Sequence, residues 1–478
     1  MDTDRATRGR RRDATSGRFV VAGCVAVLTV GAVAAVPGTV ASAGAECPAL
    51  YALGVQGTGE SSPDAAPTTD TGMLSTVFRP LLANAGDIVA REYIPYEASF
   101  GGATPGGSAP YAQSVAGGLD RLRDKAREIT QRCSSTQLAL VGYSQGANVV
   151  SMFAQDIGSG GGGVPADRVA AVALFADPTR NPGASVFPGA PDKQRPDPAP
   201  GTSGGAVAAI PVVTQSPVAG GGIGPQRDLA ANFGPLTGRV ATFCVPADLA
   251  CDAPDNAPIL RAVANVAGQS ELSGGDPVAS LSSIAQALAF TAIKTATAVV
   301  NEDIQGQSLS ELSITPKKSL SRRIAEASDP RTPVDVNAAV RALMKVGTIG
   351  LNAVVTVART MLTPSNIAEL TAVGLSDPAA ALALFGQKLA GAVVQLVPPA
   401  TSNRLVQQAF QVVTDNVTDN SDLLNTATWV RYWDTIQRHT AYGSTPVAAN
   451  GETAVQYVAD WFAAAAKDIA GAGQAVGK

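Results

Sequence analysis

Two short stretches and one isolated residue carry the side chains that could do chemistry here. Residues Gln137 to Asn148 read Gln-Leu-Ala-Leu-Val-Gly-Tyr-Ser-Gln-Gly-Ala-Asn. The apolar run Leu138 to Val141 stops at Gly142-Tyr143-Ser144-Gln145-Gly146 and then turns helix-compatible. That is the layout of a nucleophile elbow, a strand-to-helix turn that exposes a serine hydroxyl. Gly142 and Gly146 suit such a turn because a side chain at either place would collide with neighbouring backbone. With 49 glycines in the chain, a glycine pattern alone is weak, and Gly201-Thr202-Ser203-Gly204-Gly205 matches it too. No strand precedes that second match, which sits in a Pro/Gly-rich loop, so Ser144 is the candidate and Ser203 is set aside.

A serine hydroxyl is a poor nucleophile at neutral pH and needs a base, usually a histidine oriented by a carboxylate. His439 is the only histidine in the sequence. Either it serves Ser144 or there is no Ser-His-acid triad. For the acid, Asp248 lies in Cys244-Val245-Pro246-Ala247-Asp248-Leu249-Ala250-Cys251, just after an apolar run. Were Cys244 and Cys251 bonded to each other, the small ring would hold that aspartate rigidly, as an orienting acid requires. Asp252, Asp255 and Asp177 compete for the role. An oxyanion hole needs two donors aimed at the developing charge. The amide of Gln145 follows the nucleophile directly. The second donor is expected from Gln56-Gly57-Thr58-Gly59-Glu60, where Thr58 could add its hydroxyl. As a phosphate cradle this loop lacks the P-loop lysine.

The elements that must position these residues follow from patterning. Strand-like runs at Ala49–Val55, Ile88–Ile94, Leu138–Tyr143, Val169–Phe175 and Val240–Val245 alternate with helical patterns such as Tyr111–Thr130 and Ala147–Ile157. Strands separated by helices predict an α/β fold, a mainly parallel sheet with helices on both faces. Between them, Asp177 to Pro235 is dense in Pro and Gly and reads as a mobile loop without chemistry of its own. From about Ala253 to Arg438 strand signals nearly vanish. Apolar-rich helices are expected over Val278–Val300, Pro333–Leu362, Pro378–Val397 and Ser402–Val413, several of them opened by a cap-then-proline pair such as Thr363-Pro364. The most hydrophobic stretch, Val346 to Ala358, is too short to span a bilayer, which takes about 20 apolar residues. Near the end, Ala454, Val455, Val458, Trp461 and Phe462 share one helix face that could pack on the sheet.

Composition bounds the rest. At 478 residues two folded units are the natural expectation. Arg5, Arg8, Arg10, Arg11, Arg12 and Arg18 precede the apolar run Phe19 to Val36, and Ala41-Ser42-Ala43 has the small residues of a cleavage site. This reads as a secretory signal peptide over residues 1–43. Its removal, with six arginines and three aspartates, takes 35 basic and 39 acidic residues to 29 and 36, a net charge of −7. No basic patch argues for nucleic acid. Cys47, Cys133, Cys244 and Cys251 then remain, an even number in an exported chain, with three possible pairings. There is no Cys-x-x-Cys pair and a single histidine, so neither metal nor cofactor is expected.

The order Ser144, Asp248, His439 is that of α/β-hydrolases, and the assembled pieces resemble one family of them in particular. Cys47-Pro48, Gly57-Thr58-Gly59-Glu60, Cys133, Gly142-Tyr143-Ser144-Gln145-Gly146-Ala147, the Cys244…Asp248…Cys251 segment and His439…Tyr442-Gly443 are similar to the secreted cutinase-like serine esterases of mycobacteria and their relatives. The resemblance covers roughly residues 45–252 and 430–470. It implies a three-layer α/β-hydrolase fold on a five-stranded sheet. It also implies Ser144 as nucleophile, Asp248 as acid, His439 as base, Thr58 with Gln145 as oxyanion hole, and disulfides Cys47–Cys133 and Cys244–Cys251. The departure is the separation of acid and base, which the family keeps short. The chain therefore reads as a signal peptide (1–43), a hydrolase domain in two parts (44–252 and 431–478), and an all-helical domain inserted between them (253–430). Phage enzymes that cleave mycolyl esters resemble this plan in carrying helical material before their histidine. The expected activity is hydrolysis of lipid or polyester esters, outside the cell or at its wall, with the insert a possible contact to envelope lipid. Acyl transfer by the same triad, and a non-catalytic wall-binding protein on a hydrolase scaffold, are the alternatives.

Overall fold

The computed structural model describes residues 47–102, 107–270, 277–306, 312–361, 363–377, 380, 383–384, 386–388, 399–432 and 434–476. The expected leader, with Cys24 and the cleavage site after Ala43, lies outside the described residues. So does most of the helix expected over Pro378–Val397.

Five strands form the sheet: β1 (Leu50–Val55), β2 (Val89–Tyr93), β3 (Gln137–Tyr143), β4 (Val169–Phe175) and β5 (Val240–Phe243). Between and after them come α1 (Ser75–Ala85), α2 (Tyr111–Arg132), α3 (Gln145–Gly158) and the short α4 (Gly205–Ala209). The spatial order is β2-β1-β3-β4-β5, and all four neighbouring pairs are parallel, with Leu50 opposite both Val89 and Gln137. A parallel sheet is covered on both faces and so reads as continuous apolar runs; every residue of β1, β4 and β5 is buried. Strand alternation divides these runs between two cores. Leu50, Ala52, Val141, Ala173 and Phe175 face one way, packed with Phe78 of α1 and with Trp461 and Phe462 of the last helix, Ala454–Val476. Leu53, Val55, Leu140, Val172 and Leu174 face the other way, against Leu122 and Ile129 of α2 and Val150 and Phe153 of α3. The result is a three-layer α/β sandwich.

Strand order reverses at β1, whose neighbours are β2 on one side and β3 on the other. In open parallel sheets the crevice outside the carboxyl ends at such a switch point is where ligands bind. The loops that leave β1 and β3 there are Gln56–Glu60 and the turn at Ser144.

Between β5 and the last helix lies the extra helical region. It comprises α5 (Pro258–Gly268), α6 (Pro277–Ala298), α7 (Leu320–Ala327), α8 (Val336–Met361), α9 (Pro364–Ser376), α10 (Pro399–Asp419), α11 (Ser421–Leu424), α12 (Thr426–Tyr432) and α13 (Thr435–His439); the last helix is α14. The expectation of an all-helical region needs one correction. Ile304–Gln305 (β6) pairs antiparallel with Ser313–Ile314 (β7), and Ile304 packs in a small core with Leu312 and Leu405. Two-residue strands leave no periodic signal to read. A second apolar stretch also stands out. Ser282–Asp303, spanning most of α6 and the turn after it, is the one helix among the described residues long and apolar enough to cross a membrane, and its Leu288, Phe290 and Ile293 are exposed.

The Asp177–Pro235 segment is not the featureless loop its composition suggests. Arg180 is buried and donates to the carbonyls of Gly220 (2.6 Å), Val218 (3.1 Å) and Ala184. The Gly222 amide returns a bond to the Arg180 carbonyl at 2.7 Å, and Ala230 N–H reaches the Thr179 carbonyl at 2.9 Å. A buried guanidinium holds unpaired carbonyls that helices or strands would otherwise satisfy. Asp177, at the start of the segment, accepts from the Thr179 amide (2.8 Å) and hydroxyl (2.7 Å). Burial nevertheless pushes its carboxyl up to about 6.

That shift has a signed consequence. An unfolded Asp titrates near 3.9, so between about pH 4 and 6 the folded state holds the extra proton and stability falls as pH rises. Asp177→Asn removes the titration while keeping an acceptor for Thr179. Its stability relative to the natural chain should therefore climb from pH 4 to pH 7, by on the order of 2–3 kcal/mol. Urea midpoints at the two pH values check this, and a pH-independent difference would contradict it.

Candidate active site

Ser144 sits at the end of β3 with φ 54° and ψ −119°, a backbone conformation that side chains other than glycine's seldom adopt. Its neighbours hold it there. Its amide donates to the Phe175 carbonyl at the end of β4 (2.9 Å), and its carbonyl accepts from Asn148 N–H (3.1 Å), opening α3. The two glycines are forced by approach. A Cβ on Gly142 would overlap the Gly146 carbonyl and the Ala147 backbone, and one on Gly146 would overlap the carbonyls of Val55, which ends β1, and of Gln56 just after it. The strain therefore presents the hydroxyl between β1 and β3. Ser203, the rival in the sequence, is exposed in a loop ahead of α4.

His439 ends α13 and reaches Ser144 from the far side of the helical region. Its Nε2 lies 2.8 Å from Ser144 Oγ, and its Nδ1 lies 2.9 and 3.0 Å from the two Asp248 oxygens. Asp248 is 1% exposed. It follows β5 inside the ring closed by Cys244–Cys251, while the second disulfide joins Cys47, ahead of β1, to Cys133 at the end of α2. The Asp248 carboxylate also accepts from the Ala250 amide (3.0 Å) and from the Tyr442 hydroxyl (2.6 Å). Tyr442 is fully buried, and that burial together with the adjacent carboxylate holds its phenol well above the usual range, so it acts here as a donor. Tyr143 hydroxyl donates to the His439 carbonyl at 2.8 Å, with the rings 5.2 Å apart. A carboxylate on Nδ1 fixes the imidazole tautomer that leaves Nε2 free to accept the serine proton.

The other aspartates go elsewhere. Asp177 is occupied by Thr179, and Asp255 lines a separate cavity with Lys317 and Arg322. Asp252 is a brace: it accepts from the Gly220 and Ala247 amides (2.9 and 2.8 Å) and pairs with Arg431 of α12, while its carbonyl takes the Tyr432 hydroxyl. Thr435 Oγ1 accepts from the Leu249 amide at 2.9 Å. The acid's loop and the segment carrying His439 are thus tied together by these three contacts as well as by the imidazole and Tyr442.

Thr58 lines the same cavity as Ser144, and Gln145 follows Ser144 at the start of α3. The Glu60 carboxylate shapes the first loop, accepting from the Gly57 amide (3.1 Å) and the Met73 amide (2.9 Å). The Gln145 side chain is turned inward, donating to the Ser99 carbonyl (2.9 Å) and accepting from Ser114 (3.0 Å), which anchors the start of α3. Thr58, Ser144, Asp248 and His439 all line one cavity of about 780 Å³. Its walls are mostly apolar, among them Phe100, Val115, Leu119, Met152, Ile223 and Leu249.

With that geometry in view, comparison with known proteins is specific. A family model described as Cutinase matches residues 46–262. The carboxylesterase Culp6 homolog of Corynebacterium glutamicum is 32% identical over 217 residues, 44% of this chain and 67% of that protein. The chain belongs to the cutinase family. Acetylxylan esterase 2 of Talaromyces purpureogenus is 33% identical over 147 residues, 30% of this chain and a little over half (57%) of that protein. Among solved structures, the catalytic core domain of acetyl xylan esterase from Trichoderma reesei is 22% identical, covering 50% of this chain and 99% of that one at a TM-score of 0.31. This member of the cutinase family is accordingly an ester hydrolase. The matched span holds Ser144 and Asp248 and ends well before His439.

Sequence reasoning quoted Tyr442 only as part of a motif and gave no role to Tyr143, Thr435 or Arg431. The available signal was proximity to His439 in the chain, since all but Tyr143 fall within eight positions of it. Removing the Tyr442 hydroxyl takes a donor from a buried carboxylate, worth about 1.5–3 kcal/mol. Tyr442→Phe should therefore lower kcat for p-nitrophenyl acetate about tenfold or more with KM little changed. A kcat within twofold of the natural enzyme's would show that the donor is dispensable.

Proposed function

We propose that this cutinase-family protein is a secreted serine carboxylic-ester hydrolase working through an acyl-enzyme. The reading is carried by one observation, the unbroken chain of hydrogen-bond distances from Ser144 Oγ through His439 to Asp248. Ser144 Oγ attacks the ester carbonyl while His439 Nε2 takes its proton. Asp248, held by Tyr442, stabilises the imidazolium. The Gln145 amide and the Thr58 side of the β1 loop stabilise the oxyanion. The imidazolium then protonates the departing alkoxide, and a water deprotonated by His439 releases the carboxylic acid.

The substrates proposed are esters with large apolar parts, lipid or polyester, because the cavity beside Ser144 is wide and its walls mostly apolar. Two disulfides suit an oxidising, extracellular setting. The proposed division is a hydrolase domain over 44–252 and 431–478 around an inserted helical domain over 253–430, preceded by a signal peptide. The exposed apolar side chains on Ser282–Asp303 support contact between that insert and envelope lipid.

A fluorophosphonate should label the purified enzyme once, at Ser144, and Ser144→Ala should abolish both labelling and p-nitrophenyl ester hydrolysis. His439→Ala should lose about three to six orders of magnitude in kcat, the range seen when a triad member is removed. Full hydrolysis by the Ser144→Ala protein would refute the assignment.

A further inference from the structure

The cavity beside Ser144 has two builders. One wall belongs to the sandwich: Tyr111, Leu119 and Met152 come from α2 and α3. A second wall belongs to the helical region, where Ala264 and Gly268 of α5 line the same space. They are four residues apart and so lie on one face of the helix. That face is built small: a Cβ added at Gly268 would lie 3.4 Å from the Tyr111 Cβ and 3.8–3.9 Å from its ring. The neighbouring Val263 points away and is 60% exposed.

This second wall is docked in place. Arg261 of α5 donates to the Gly222 carbonyl (3.0 Å) and to Gln226. Just beyond, two ion pairs run in opposite senses between the Asp177–Pro235 segment and the turn after α7: Arg227 with Asp329, and Arg331 with Asp228. Both aspartates are nearly buried, so each pairing spares a carboxylate that would otherwise be buried without a partner. The charges are matched, so the end of the cavity they border gains no net charge to attract an ionic substrate.

We propose that α5 of the helical region forms half of a binding site for a long aliphatic chain of the ester, and that the size of residue 264 sets how long a chain the enzyme accepts. The proposal rests on the esterase reading for its kinetic test. The region 253–438 then takes part in substrate selection directly. A chain lying between α5 and the α2–α3 wall buries apolar surface at about 25 cal/mol per Å², so a longer chain gains affinity only while the space continues. A bulky side chain at position 264 ends that space early.

The experiment uses the full mature chain and two ester series, p-nitrophenyl acyl esters from acetate to decanoate and alkyl acetates from ethyl to decyl. In one series, the ratio of kcat/KM for the ten-carbon ester to that for the two-carbon ester should fall at least tenfold in Ala264→Leu and further in Ala264→Trp. Val263→Trp, on the same helix outside the cavity, should keep the natural ratio within twofold. A fall in the acyl series assigns the groove to the acyl chain, and one in the alkyl series to the alcohol. Unchanged ratios in both series, with variants that melt as the natural protein does, would overturn the proposal. Ala264→Leu carries the test if Ala264→Trp does not fold. Binding separates this from failure of the esterase reading. In a Ser144→Ala background, the affinity for cis-parinaric acid, read by fluorescence, should drop at least tenfold with Ala264→Trp. Equal affinity there refutes the groove whether or not the chain hydrolyses esters.

Discussion

The contact between Asp248 and the His439 imidazole joins positions 191 residues apart. Asp248 is set by the strand before it, the Cys244–Cys251 ring around it and the Tyr442 hydroxyl. His439 is set by α13 and by the Tyr143 hydroxyl on its carbonyl. A buried carboxylate without donors would shed its charge or its position. The cluster of Ala250, Tyr442 and His439 about one side chain is what holds Asp248 in its orientation. The helical region could not be accommodated between acid and base unless its two ends were brought back together, and Asp252 does this by bracing Arg431 and Tyr432.

The strained serine and the sheet depend on each other in a similar way. Three strands contribute backbone to the elbow: β3 carries it, β4 accepts the Ser144 amide, and β1 passes so near Gly146 that no side chain fits. The unfavourable torsion at Ser144 persists because the surrounding sheet over-determines it. The switch in strand order at β1 then leaves a crevice open where the elbow points.

Much of this arrangement could be read from residues alone, because its signals are local. Leu138–Val141 running into Gly142 and Gly146 marks a strand and a tight turn, and a single histidine removes any choice of base. The five apolar runs match the five strands closely, since a parallel sheet buries both faces and leaves no polar alternation to confuse. What escaped reading lacks such signals. The order in Asp177–Pro235 comes from one buried arginine satisfying scattered carbonyls, and composition there says only Pro and Gly. The β6–β7 pair is two residues long. The cavity wall on α5 depends on where that helix docks, and a small face of Ala264 and Gly268 looks like any other stretch in an alanine-rich chain.

The position of α14 in the chain has a consequence for biogenesis. Trp461, Phe462 and their neighbours share with α1 the covering of one face of the sheet, Phe175 and Phe243 included, yet they are made long after that face. When β5 is complete, more than two hundred residues still have to be made before that face can close. Throughout that interval the nascent chain holds an apolar surface without a cover, and any chain cut short before Ala454 keeps it for good. Such a chain exposes an apolar patch of the kind that aggregates, so α14 serves solubility as well as the core.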